Sequence, residues 1–172
     1  ITSGTTVSSG GSLQLSGGVI FAAEPLNISG DGITATTTDI NSYTGATSSS
    51  VASQSGALNN ASGTNTYTGA ITLGAASRIA SDSGVLNIDV ATGSAITGTY
   101  TLTLAGAANM DIKDPIATST GALTKVGAGT ATLSAANTYT GNTTISEGTL
   151  DVTGTLSNST AVTVNAGTYK VS

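Results

Sequence analysis

The stretch that decides the reading is GALTKVGAGTATLSAANTYTGNTTISEGTLDV, residues 121 to 152. Runs such as Ala131-Thr132-Leu133 alternate small apolar residues with threonine, which is the period of a strand buried on one face. Glycine and asparagine recur between the runs and supply turns, while β-branched residues suit a pleated surface. The window predicts short strands joined by tight turns.

The same elements recur on both sides of it. Asn41-Ser42-Tyr43-Thr44-Gly45, Asn65-Thr66-Tyr67-Thr68-Gly69 and Asn137-Thr138-Tyr139-Thr140-Gly141 are near-identical tags, and the gap between the second and third is three times the gap between the first and second. A Gly-x-aliphatic or Gly-x-Tyr strand opening returns at Gly11, Gly56, Gly84, Gly121, Gly148 and Gly167. Strand centres in the second half step from Leu86 to Leu104 to Leu123, and the longest step, Leu123 to Leu150, contains a tag. Two or three short strands in about 18 to 27 residues is the arithmetic of one coil of a β-solenoid. Inward Leu, Ile and Val then stack on their equivalents above and below, each contributing roughly 1.5 to 3 kcal/mol when fully buried. One coil alone does not fold, because only its neighbours cover its apolar side.

Composition agrees. Of 172 residues only 8% are charged and 3% aromatic, and Gly, Ser and Thr approach half of the chain. Mean hydropathy of +0.21 and 38% hydrophobic residues argue against disorder. Helix is disfavoured, since Gly recurs every few positions and no segment keeps helical spacing. A column of identical charges one strand apart would repel itself, whereas stacked threonines do not, which explains the scarcity of charge.

The window from Gly121 to Val152 closely resembles the autotransporter-associated β-strand repeat. That family's pattern opens Gly-x-Leu-x-Lys-x-Gly-x-Gly-Thr-Leu-x-Leu, continues Asn-x-Tyr-x-Gly, and closes with a Thr-x-hydrophobic strand and Gly-x-Leu. The chain matches nearly every position, with Ala131 where leucine is usual. Gly56 to Val90 looks like a divergent copy lacking the Lys-x-Gly-x-Gly strand and carrying an extra segment, Gly74 to Ser83. The resemblance implies a right-handed parallel β-helix in a secreted or outer-surface bacterial protein, where such repeats form a stalk or passenger. The family has no catalytic residues to carry over.

The expected fold is therefore all-β, a right-handed parallel β-helix (β-solenoid) with rungs of about 18–27 residues. Residues 1–172 form a single continuous solenoid with an irregular or loop-like segment around 36–55, where the chain is polar and Ser-rich. No signal peptide or bilayer-length apolar run is present, so the chain reads as an interior piece of something longer or a processed product.

Few residues invite a chemical reading. The tyrosine tags suggest either a sugar-binding platform or a corner at which Asn and Gly take left-handed conformations and Tyr closes the coil; the second is favoured. Asp111, Lys113 and Asp114, followed by Pro115, form the densest charge cluster, yet a lyase-type site needs more carboxylates beside a base. Asp82 and Asp89, or Asp31 and Asp39, fall short of a calcium site in number and spacing. With no His and no Cys there is neither a Ser-His dyad nor a thiolate metal site. No catalytic, cofactor-binding or metal residue is assigned and no cofactor is expected; the protein is not expected to be an enzyme. A net charge of −5 with only four basic residues excludes a nucleic-acid footprint, and membrane insertion by this segment is not expected.

The expected role is an extracellular structural or adhesive segment on the bacterial outer cell surface. Its expected partners are further repeats of the same chain, identical copies stacked end to end as a filament, and surface glycans. A carbohydrate-binding, lyase-like β-helix is the alternative. Ice binding ranks below it, because the Thr-x-Thr pairs at 36, 66, 101 and 138 are irregularly spaced.

Overall fold

Each circuit of the chain passes along three faces and then climbs to the next circuit; the first five circuits lay a strand on every face, and the last two lay strands on faces two and three. The computed structural model describes residues 4–33, 56–158 and 160–172. Face one holds β1 (Thr5–Val7), β4 (Leu26–Gly30), the first part of β7 (Ile71–Ser81), β9 (Ile96–Thr97) and β12 (Ile116–Ala117). Face two holds β2 (Leu13–Ser16), β5 (Leu58–Ser62), the second part of β7, β10 (Leu102–Ala105), β13 (Leu123–Lys125), β15 (Thr143–Ile145) and β17 (Val162–Val164). Face three holds β3 (Ile20–Phe21), β6 (Thr64–Tyr67), β8 (Val85–Ile88), β11 (Asn109–Ile112), β14 (Thr130–Leu133), β16 (Thr149–Val152) and β18 (Thr168–Val171). These seven strands of face three number the rungs, one to seven.

Neighbouring strands pair in parallel throughout, as successive circuits of one winding must. The fold is an all-β solenoid of about seven turns. Its core is a set of columns. On face three Phe21, Tyr67, Ile88, Ile112, Leu133, Val152 and Val171 stand in register. On face two the matching column is Leu13, Leu58, Ile79, Leu104, Lys125, Ile145 and Val164. Alternate residues point inward and are buried, as in Leu102, Leu104, Ile112, Leu133 and Leu150. The threonines between them, such as Thr103, Thr124, Thr132 and Thr144, face outward and remain partly exposed.

From β5 onward every step along this column, from Leu58 to Ile79 and on to Val164, falls inside the expected rung length. One earlier step is longer: Leu13 pairs directly with Leu58. Residues 34–55, which include the segment expected to be irregular at 36–55, fall within that step and lie outside the described residues.

Two details of the repeat alignment are corrected. Gly74 to Ser83 is not an extra segment, because β7 turns the corner and supplies face two of rung three. Leu86 and Leu104 are not equivalents one rung apart either: Leu86 belongs to face three, where it opposes Met110. Short apolar runs look alike in sequence whichever face they occupy, since every face demands the same alternation.

Candidate functional site

The tyrosine tags are the first place to look for a binding surface. Tyr43 lies outside the described residues. Tyr67 and Tyr139 are both fully buried, at 0% exposure. Tyr67 stacks on Phe21, with ring centroids 5.4 Å apart, and its hydroxyl donates to the Glu24 carbonyl at 2.7 Å. The Tyr139 hydroxyl lies 2.8 Å from Thr143 Oγ1. Burial pushes both phenols up to about 12, with the Glu24 carboxylate adding to the effect at Tyr67. Neither ring offers a face to a sugar. As expected, these tyrosines close corners.

The asparagines and glycines of the tags do so by another route than expected. None of Asn65, Gly69, Asn137 and Gly141 has a positive φ. Asn65 instead accepts the backbone N–H groups of Gly18 and Val19, at 3.0 and 2.7 Å. Asn137 accepts Ile116 N–H at 3.0 Å and donates to the Ala135 and Thr155 carbonyls. Each ties its rung to a neighbour. The glycines are required by proximity, since a Cβ at Gly69 would sit 1.9 Å from the Glu24 carbonyl oxygen and one at Gly141 2.3 Å from that of Gly121.

The charged residues do not converge. Lys113 pairs with Asp89 at 2.9 Å in solvent, and Asp114 accepts the Val90 N–H at 2.8 Å. Asp111 faces outward between Asn87 and Thr132. Asp82 accepts Asn59 Nδ2 at 2.9 Å, and Asp31 is exposed; Asp39 lies outside the described residues. Among the described residues no three Asp or Glu side chains gather as metal ligands would. Opposite charges do stack one rung apart, Asp89 with Lys113 and Asp151 with Lys170, which relieves the repulsion a single-sign column would suffer.

The least ordinary chemistry lies at the corner between faces two and three. There Gly106, Gly127, Gly148 and Gly167, in four successive rungs, all take positive φ. A Cβ at Gly127 or Gly148 would meet the carbonyl oxygen of the preceding ladder glycine at 2.5 or 2.3 Å. Outside this ladder runs a shallow groove of about 460 Å³, lined by Arg78, Asp82, Ala107, Val126, Ala128 and Glu147 among others. Inside it lies Lys125, which occupies an inward position of β13 and is 1% exposed. Its ammonium donates to the carbonyls of Val126 at 2.9 Å, Gly127 at 2.6 Å and Glu147 at 3.5 Å. Burial pulls its pKa down to about 8, against the pull of the Glu147 carboxylate.

Lys125, Gly127 and Gly148 are marked positions of the repeat pattern, but the pattern does not tell that the lysine lies inside or that the glycines stack. One signal was present: in Leu123-Thr124-Lys125 the strand alternation places a lysine where an aliphatic residue belongs.

Comparisons with curated proteins and with solved structures found no match. Residues 123–152 match the model of the passenger-associated-transport-repeat family, from face two of rung five to the end of face three in rung six, and the solenoid fold of that stretch is consistent with an autotransporter passenger repeat.

Proposed function

We propose that the chain is a non-enzymatic structural and adhesive rod segment of a bacterial surface protein. The family of its repeat points to a surface or extracellular location. The observation that carries the reading is the continuity of the columns: the core residues of rung five have partners in register through to the first and the last rungs. Length and outer surface are what such a body offers a partner.

In this reading its main partners are further parallel rungs, of the same chain or of identical copies. At rung seven Val162, Val164 and Val171 are 36%, 47% and 67% exposed, although Val164 and Val171 continue buried columns. At rung one Val19, which precedes β3, is 42% exposed. A further rung on either end removes this apolar surface from water and pairs the open strand edge. Negative-stain microscopy of the purified chain tests self-stacking. Filaments about one solenoid wide are expected, and monodisperse short rods would remove the self-stacking part of the proposal. Surface labelling of the source cells tests the location, and a purely intracellular signal would overturn it.

A glycan-binding surface draws no support from Tyr67 or Tyr139, whose rings are buried.

A further inference from the structure

A strand that alternates aliphatic and threonine residues has a weakness: slid by two residues, it still places aliphatic side chains inward and hydroxyls outward. The solenoid is built from such strands. Leu102-Thr103-Leu104 lies on Leu123-Thr124-Lys125, which lies on Thr143-Thr144-Ile145. Side-chain volume and hydrogen-bonding backbone alone discriminate weakly among these alignments.

We propose that Lys125 and Asn60 are register pins, buried polar side chains that select one alignment of successive rungs at the corner between faces two and three. Their acceptors are equivalent, although the residues differ and stand three rungs apart. Lys125 Nζ donates to the carbonyl of Gly127, in its own rung, and to that of Glu147, the residue before the stacked glycine of the next rung, Gly148. Asn60 Nδ2 donates to the carbonyl of Gly63, in its own rung, and to that of Ser83, the residue before the stacked glycine of the next rung, Gly84. Each pin spans two rungs. Asn60 is further held by Ser81 Oγ at 3.2 Å and accepts Asn65 Nδ2.

Lys125 is the more stringent of the two. Among the described residues it is the one buried side chain that carries a charge. In its column Leu104 precedes it and Ile145 follows, so neither neighbour offers the ammonium an acceptor from its side chain. A two-residue slide of β13 carries the Val126 and Gly127 carbonyls along with the amine and moves it by about 6.6 Å along the strand from the Glu147 carbonyl of the next rung. The ammonium then keeps only the acceptors of its own rung and loses the one across rungs, a penalty on the slipped state that an aliphatic side chain does not carry. A buried polar group that contributes little stability while fixing alignment is an established use of such groups in helical assemblies. Glu147, whose carboxylate accepts Gly127 N–H at 3.1 Å, is the titratable side chain facing the pin; Arg78 and Asp82 line the same groove from the rungs below.

The chain has no cysteine, so alignment can be trapped by disulfides on the outer surface of face two. Thr124→Cys with Thr144→Cys reports the observed register. Thr124→Cys with Asn142→Cys or with Ser146→Cys reports slides of two residues in either direction. After refolding from urea, only the first pair is expected to close in the Lys125 chain. In Lys125→Met the slipped pairs are expected to close at least about tenfold faster than before, with thermal stability near pH 7 unchanged or raised. A Lys125→Met chain that folds and closes only the native pair overturns the proposal, because a merely structural lysine would alter stability and not alignment. Lys125→Leu, which removes every donor, is read in the same trap. Slipped closure there supports the pin, and native closure alone overturns it even where Lys125→Met does not fold.

Discussion

The peptide Asn-Thr-Tyr-Thr-Gly occurs twice, at 65–69 and 137–141, and the two copies stand on different faces. The first ends face three and turns the chain toward β7, whereas the second lies along face one and turns it toward β15. Their separation is therefore not a whole number of rungs. The register carries Tyr67 through Ile88 and Ile112 to Leu133, which lies before Tyr139 and on another face. Locally, however, the copies act alike. Thr68 and Thr140 each place both backbone N–H and hydroxyl on one carbonyl of an earlier rung, that of Phe21 and of Ser119. The motif encodes how a strand leaves a rung and not where in the rung it does so.

Replacing the aromatic core of each copy should show the largest effect. Tyr67→Ala and Tyr139→Ala are each expected to lose about 3 to 5 kcal/mol in urea unfolding, from the cavity and lost burial. A copy whose loss stays below about 1 kcal/mol is not a corner filler in the sense argued here. Gly69→Ala and Gly141→Ala should each cost about 3 kcal/mol, because the new methyl group meets a fixed carbonyl. As φ is ordinary at both sites, the strain is steric and not conformational.

Alkaline pH sharpens the comparison, since both phenols are pushed up to about 12. Unfolded tyrosine ionises near 10, so between pH 10 and 12 the folded state holds more protons and stability falls as pH rises. Lys125 acts first and in the opposite sense. Its folded pKa of about 8 lies below its ordinary 10.5, so across that window the unfolded state holds the extra proton and stability rises with pH. The rise is about 3 kcal/mol at most. The urea midpoint should therefore climb above pH 8, peak near pH 10 and then decline. Lys125→Met should abolish the climb, and Tyr67→Phe or Tyr139→Phe should each remove about half of the decline. A flat profile would overturn both assignments.

The smallest predicted differences separate the two hydroxyls. Tyr67→Phe strands a backbone carbonyl and should cost about 1 to 2 kcal/mol. Tyr139→Phe should cost about 0.5 to 1 kcal/mol, since it removes a bond between two neutral hydroxyls. Equal losses at the two sites would remove this distinction.

What was legible in the sequence was the repeating unit. Alternation in Thr101 to Leu104 and Val162 to Val164 gives strands, and the spacing of their openings gives rungs, because both are local consequences of backbone geometry. The family pattern over Gly121 to Val152 was equally visible and lies on rungs five and six. Which face a strand occupies was not visible, so Leu86 and Leu104 looked equivalent and β7 looked like an insertion. The corner chemistry of Asn60 and Lys125 was hidden for a related reason: apart from Ser81 Oγ, their acceptors are backbone carbonyls, which every residue carries and no sequence distinguishes.

The sequence by itself determined that this chain winds, since small apolar residues at period two, broken by glycine, bury themselves only by stacking on copies of the same pattern. Tertiary structure alone decided the phase of the winding: which side chains meet across rungs, which glycines touch carbonyls, and why one lysine lies inside. Phase depends on distances between residues a full circuit apart, and such distances are set when the rungs close on one another and not by any one stretch of chain.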